Sequence, residues 1–131
     1  MTRHVLVVDD EPDMRLLLRL TLGRAGFEVT EAATGEEALT AVEEASFDLV
    51  LLDLNLPGID GLEVLESWQR AGVVPDLPVL ILTADHRPEL DEETVARGGR
   101  ECLRKPVKGP DLIERIETAT TAAPAATVEE R

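Results

Sequence analysis

Three short apolar runs stand out along the chain: Val5-Leu6-Val7-Val8, Leu49-Val50-Leu51-Leu52 and Val79-Leu80-Ile81-Leu82. Unbroken runs of this length read as strands buried on both faces of a sheet. Two further segments, Glu28-Val29-Thr30-Glu31-Ala32 and Glu101-Cys102-Leu103-Arg104, are short and mixed. These read as edge strands on either side of the three buried ones. Helical patterns fill the intervals. The first, near Met14 to Ala25, is rich in leucine (Leu16, Leu17, Leu20), and Gly26 is its stop signal. The second opens with Thr34-Gly35-Glu36-Glu37, a capping-box pattern, and carries Ala38, Leu39 and Val42 as an apolar stripe. The third runs near Leu62 to Ala71. The fourth, near Glu89 to Arg97, has few apolar anchors beyond Leu90 and Val95, so it is expected to be the least firmly packed and a moving part. The fifth carries Leu112, Ile113 and Ile116.

Five strands alternating with five helices imply an α/β fold, a doubly wound parallel sheet covered on both faces. Right-handed crossovers leave few topologies. Polar second and fifth strands at the edges fit the order 2-1-3-4-5. In that order the first and third strands are neighbours, and ligands bind beyond their carboxyl ends. The segment from Thr118 to Arg131 turns to Ala and Thr with Pro124 and ends Glu129-Glu130-Arg131. It reads as a tail or linker, which divides the chain into a domain over 1–118 and a tail over 119–131.

Charge sharpens the picture. Acidic residues number 27 against 13 basic, a formal net charge of −14 in 131 residues. Direct nucleic-acid binding needs a basic footprint and is disfavoured. One cysteine, Cys102, excludes an internal disulfide framework and suits a reducing cytosol. The beginning of the chain lacks a signal-peptide pattern, and no apolar run approaches the ~20 residues that span a bilayer. The expectation is a cytoplasmic protein without a membrane partner.

The chemistry lies at the strand ends. Asp9 and Asp10 follow the first buried strand and Asp53 ends the third. If those strands are neighbours, three carboxylates meet. Two like charges ~4 Å apart repel by ~4 kcal/mol at an effective dielectric near 20, so such a cluster needs a cation or a proton. Mg²⁺ suits it, because Mg²⁺ takes one or two carboxylates, keeps waters and leaves room for phosphate oxygens. Thr83 ends the fourth strand and Lys105 lies just past the fifth, so both project toward the same edge. A hydroxyl and an ammonium beside a carboxylate–metal site are the parts that phosphoryl transfer needs. Singly, an Asp pair is usually a solvated turn, Thr83 a strand-end hydroxyl and Lys105 a surface lysine. Five such residues at strand ends together are hard to assign to chance.

The stretches Val5-Leu6-Val7-Val8-Asp9-Asp10-Glu11, Asp48 through Gly61 (with Asp53-Leu54-Asn55-Leu56-Pro57-Gly58 at its centre), Pro78-Val79-Leu80-Ile81-Leu82-Thr83-Ala84 and Leu103-Arg104-Lys105-Pro106 carry a family resemblance. In order and spacing the chain resembles the receiver domain of two-component response regulators over residues 3 to about 118. The resemblance implies the flavodoxin-like form of the doubly wound sheet. It implies that Asp53 accepts a phosphoryl group from a sensor histidine kinase or phosphotransfer protein, with Thr83 and Lys105 contacting that group. It implies Mg²⁺ held by Asp10 directly, by Asp9 through water, by Asp53 and by the backbone carbonyl of Asn55, and a cis Lys105–Pro106 bond. The partner downstream is an effector domain or protein, and a homodimer on activation through the fourth-helix, fifth-strand and fifth-helix face is a further implication. On this reading the chain is no enzyme toward other substrates: it catalyses only its own phosphorylation and dephosphorylation.

The chain departs from the family pattern at Cys102, where many receivers have Tyr or Phe, and it contains no Tyr. Cys102 reads as a small buried thiol. Gly98-Gly99 replaces the common Gly-Ala, a change expected to loosen that loop. Asn55 and Asp85 stand where side chains can meet an attacking water, with neutral surface roles as the alternative. His86 reads as a loop residue and Trp68 as helix packing. Two other functions compete. A phosphorylation-independent interaction module would keep the fold, but such modules usually lose the acidic pair, the acceptor or the lysine. A haloacid-dehalogenase-type phosphohydrolase would carry its nucleophile on the first strand as Asp-x-Asp, with the acidic pair last.

Overall fold

A computed structural model describes residues 2–121. The element order is β1 (His4–Val8), α1 (Pro12–Arg24), β2 (Glu28–Ala32), α2 (Gly35–Glu44), β3 (Leu49–Leu52), α3 (Gly61–Arg70), β4 (Val79–Thr83), α4 (Glu89–Ala96), β5 (Glu101–Arg104) and α5 (Gly109–Thr121). The strands form one parallel sheet in the order β2-β1-β3-β4-β5. The expected fold class and strand order are therefore those observed.

Alternation along the central strands builds two cores. Leu6, Val8, Val50, Leu52, Val79 and Ile81 face one side, where Ala38 of α2, Val64, Leu65 and Trp68 of α3 and Leu90 of α4 cover them. Val5, Val7, Leu49, Leu51, Leu80 and Leu82 face the other, under Leu18 and Leu22 of α1 and Leu112 and Ile116 of α5. Both faces of β1, β3 and β4 are thus dry, which is why those strands read as unbroken apolar runs. Trp68 is core packing, as expected.

The helix ends follow local chemistry. Pro12 opens α1 at a position where its missing N–H loses no bond. Gly26, at φ 95°, closes it, with the Phe27 N–H returning to the Leu22 carbonyl (3.1 Å). The Thr34 hydroxyl accepts from Glu37 N–H (3.1 Å), while the Glu37 carboxylate reaches back to Ala33 N–H (2.7 Å), one residue beyond a strict capping box. A complete capping box sits on α3, where Asp60 and Glu63 each accept the other's N–H at 2.9 Å. The start expected near Leu62 lies one residue from the observed one.

Two expectations change, and the leucines of α1 sort into two kinds. Leu16, Leu17 and Leu20 point to solvent, and α1 seats on the sheet through Leu18 and Leu22, one helical turn apart. Val95 is 60% exposed, so the buried residues of α4 are Leu90 and Thr94; the helix is even more thinly anchored than its sequence implied. The boundary after residue 118 falls inside α5, which continues to Thr121. There the Thr120 and Thr121 hydroxyls donate to the carbonyls of Ile116 (2.9 Å) and Glu117 (2.8 Å). Residues 122–131 of the expected tail lie outside the described residues.

The two kinds of α1 leucine are separable by experiment. Leu22→Ala is expected to destabilise the protein by roughly 2–5 kcal/mol and Leu17→Ala by no more than about 0.5 kcal/mol, read from urea unfolding midpoints. Equal losses would place the α1 seam wrongly.

Candidate functional site at the carboxyl edge of the sheet

Parallel pairing of β1 with β3 is the start of the site. Val8 stands opposite Leu52, so the chain leaves both strands at the same level, and Asp53 N–H donates to the Val8 carbonyl (2.9 Å). Asp9 and Asp53 are buried, at 2% and 6% exposure, while Asp10 faces solvent. One carboxylate oxygen from each of Asp9, Asp10 and Asp53 lies within 4.8 Å of the others. The three residues predicted to converge do converge.

Lys105 enters from the far edge of the sheet. Its Nζ stands 3.0 Å from Asp9 Oδ2 and 3.6 Å from Asp53 Oδ2. The β4–β5 pairing sets Thr83 opposite Arg104, and Lys105 N–H donates to the Thr83 carbonyl (2.7 Å). Thr83 is fully buried, and its hydroxyl accepts from Asp85 N–H (3.1 Å). The Lys105–Pro106 bond is cis, and so is Val74–Pro75. Asn55 is exposed in the loop after β3, and its N–H donates to Asp53 Oδ1 (3.3 Å).

Electrostatics follow from this crowding. Burial raises the pKa of Asp53, the Asp9 charge raises it further, and Lys105 and the Asn55 N–H pull against them without reversing the shift. Burial also acts to lower the pKa of Lys105, but the bond to Asp9 and the charges of Asp53 and Asp9 outweigh it, and the net shift is upward. Three carboxylates and one ammonium leave a formal charge of about −2 in a group open to water through Asp10. A hard divalent ion with oxygen ligands matches that donor set, and Mg²⁺ fits it.

Glycine sets the floor. A Cβ on Gly61 would stand 2.5 Å from the Asp53 carbonyl oxygen, so the first turn of α3 packs backbone to backbone against the residue that carries the central carboxylate. The Gly98-Gly99 loop is tight rather than loose. A Cβ on Gly98 would meet Val74 Cγ2 at 2.6 Å, and one on Gly99 would meet Thr94 Cγ2 at 2.7 Å.

Other candidates resolve differently. The Asp85 carboxylate is taken by Arg87, through its N–H (3.0 Å) and Nε (3.0 Å), and these bonds lower its pKa. It is thus engaged within its own turn. His86 is an exposed loop residue. Burial raises the pKa of the Cys102 thiol, which packs in the core beneath α4. Two arginines near the site escaped the sequence reading. Arg15 donates from Nη1 to the Asp9 carbonyl (2.7 Å) and bonds Glu31 through Nε (3.1 Å). Arg104 reaches Asp91 of α4 and the Arg87 carbonyl. Arginine next to Lys105 at a strand exit was the available signal for the second; the first had none, since its partner is a backbone oxygen.

The fold and this acidic edge define a receiver domain of two-component response regulators. A family model described as the response regulator receiver domain matches residues 5–117, and the chain belongs to that family. It is 36% identical to the uncharacterized transcriptional regulatory protein YrkP of Bacillus subtilis, over 88% of this chain and 48% of that protein. It superposes on the chemotaxis protein CheY4 of Vibrio cholerae with a TM-score of 0.85 and 33% identity, covering 91% of this chain and 99% of that one. A third likeness is to the response regulator TrrA of Thermotoga maritima, with a TM-score of 0.81 and 35% identity over 90% of this chain and 99% of that one. The chain spans about half the length of the first curated relatives it matches. Among the described residues no helix is long and apolar enough to cross a membrane.

Two substitutions test the site as built. A carboxyl whose pKa is raised in the fold favours its neutral form there, so its charge at neutral pH lowers stability. Asp53→Asn is therefore expected to raise the melting temperature in a chelator at pH 7, with a gain in stability on the order of 1 kcal/mol, and to diminish any stabilisation by added Mg²⁺. Gly61→Ala is expected to destabilise by roughly 1–3 kcal/mol, because backbone must shift. A neutral Gly61→Ala, or an Asp53→Asn that melts lower in chelator, would contradict the packing and the charge balance in turn.

Proposed function

We propose that this receiver takes a phosphoryl group onto Asp53 from the phosphohistidine of a sensor histidine kinase or phosphotransfer protein. The observation that carries the reading is the meeting of Asp9, Asp10 and Asp53 at one strand edge with Lys105 bridging Asp9 and Asp53. The chemistry is a direct displacement. A carboxylate oxygen of Asp53 forms a bond to phosphorus as the P–N bond breaks, and the electron pair of that bond returns to the imidazole. Phosphoryl transfer of this kind asks the protein for position and charge neutralisation rather than for bond chemistry.

Each side chain has a part. The Asn55 N–H holds one Asp53 oxygen and so orients the carboxylate. Lys105, already poised between two carboxylates, turns its ammonium to the incoming oxygens. The Thr83 hydroxyl, which here accepts from Asp85 N–H, turns to donate its own proton to a phosphoryl oxygen. Asp9, Asp10, Asp53 and the Asn55 carbonyl would hold Mg²⁺, which supplies charge neutralisation at the phosphoryl oxygens when bound. TrrA was solved in complex with Mg²⁺-BeF, and that likeness supports the same occupancy here.

On this reading the chain is not an enzyme toward other substrates. It catalyses its own phosphorylation and dephosphorylation and passes the signal to an effector domain or protein. The net charge of −14 supports protein partners over direct contact with nucleic acid.

Incubation with Mg²⁺ and acetyl phosphate, read by intact mass, is the test. The expected result is one phosphoryl adduct, lost in Asp53→Asn and in chelator, and formed on the order of 10²-fold more slowly in Lys105→Ala. Repeated turnover of a generic phosphate monoester would favour a hydrolase. Absence of an adduct from both acetyl phosphate and a cognate kinase would leave an interaction module.

A further inference from the structure

We propose that Arg104 is a positioning residue that clamps the start of α4 to the Thr83 turn, so that the state of the Thr83 hydroxyl reaches α4 through a chain of polar bonds. The proposal rests on the reading of Asp53 as phosphoacceptor.

The interior of α4 is poorly held. Of its eight residues only Leu90 and Thr94 are buried. The Thr94 hydroxyl is enclosed beside the Cys102 thiol, a weak hydrogen-bonding partner, so little polar bonding holds this part of the helix. The far end of α4 is tied to α3, where Arg97 Nε meets Glu66 Oε2 (2.9 Å) and Gln69 Nε2 donates to the Ala96 carbonyl (3.0 Å).

The near end has one apolar anchor, Leu90, and its polar ties converge on one guanidinium. Arg104 Nη1 donates to Asp91 Oδ1 (2.9 Å) and to the Cys102 carbonyl (3.2 Å), and Nη2 donates to the Arg87 carbonyl (2.7 Å). That same Arg87 carbonyl accepts the Leu90 N–H (3.3 Å) that begins the helix. Arg87 in turn grips the Asp85 carboxylate, and Asp85 N–H donates to the Thr83 hydroxyl (3.1 Å). The path is continuous: Thr83 hydroxyl, Asp85, Arg87, Arg104, Asp91. A planar fork with several fixed donors can hold helix and turn at once, which an ammonium cannot.

When the Thr83 hydroxyl turns to a phosphoryl oxygen, Asp85 N–H loses its acceptor and the turn behind it changes. The Arg87 carbonyl then leaves Arg104, and the near end of α4 loses its polar tie while its far end stays on α3. Coupling of this kind is reciprocal, so releasing the clamp must favour the phosphoryl-bound state. Plain electrostatics makes the opposite demand, because deleting a positive charge near an anion site weakens anion binding.

The test uses the full chain with Mg²⁺ and beryllofluoride. Arg104→Ala is expected to bind beryllofluoride about fivefold tighter than the unsubstituted protein. Without ligand, its α4 amides are expected to exchange hydrogen faster by a similar factor, with the central strands unchanged. Arg104→Lys, which keeps the charge and loses the fork, should behave like Arg104→Ala. Unchanged or weaker beryllofluoride binding by Arg104→Ala, or unchanged α4 exchange, overturns the clamp. So does an Arg104→Lys that matches the unsubstituted protein. If the unsubstituted protein itself binds no beryllofluoride, the phosphoacceptor reading fails instead, and the exchange comparison still decides whether Arg104 holds α4.

Discussion

The in-register pairing of β1 with β3 is the constraint on which the molecule turns. It is a matter of backbone hydrogen bonds and apolar side chains, and it knows nothing of charge. Yet because Val8 lies opposite Leu52, the residues that follow must emerge together, and those residues are aspartates. The hydrophobic effect thus forces together carboxylates that Coulomb repulsion would separate. Two dry cores secure the pairing from both sides, so the repulsion is carried by the loops and by Lys105 rather than relieved by moving a strand. A site of this kind is held under electrostatic load by the fold around it.

Much of this was legible in the sequence because the signals were strong and local. Unbroken apolar runs identified β1, β3 and β4, and the chemistry followed at their ends. The convergence of Asp9, Asp10 and Asp53 needed only the strand order, and the position of Thr83 and Lys105 needed only that both lie at carboxyl ends. What escaped lay in side-chain direction and in contacts to backbone. Leucine is abundant on α1, and composition alone does not say which members face the sheet; the i, i+4 pair Leu18 and Leu22 does. The change to Ala and Thr after residue 118 does not mark the end of α5, because Thr120 and Thr121 turn their hydroxyls onto the preceding helical turn. Arg15 acts on the Asp9 carbonyl, and a contact to backbone leaves no residue-type signature.

The departures from the family pattern fit one another. With Cys102 in place of an aromatic ring, the space beneath α4 holds a small thiol and a threonine, and the neighbouring Gly98-Gly99 loop closes tightly over it. The reduced apolar area under α4 is matched by polar fastening outside it, from Arg97 at one end and Arg104 at the other. Surface ion pairs are weak singly. Here they are multidentate and reach backbone carbonyls as well as carboxylates, and so they add direction to what little packing supplies.

The division of the helices between the two sheet faces gives the molecule a mechanical asymmetry. On one side α1 and α5, each 13 residues long, press close-packed side chains onto the strands. On the other, the eight-residue α4 sits beside α3, whose first turn is locked against the backbone of Asp53. The shortest helix thus lies beside one whose first turn has no room to move, so under the proposed signalling role a displacement arising at the carboxyl edge would be taken up at α4 sooner than at α3.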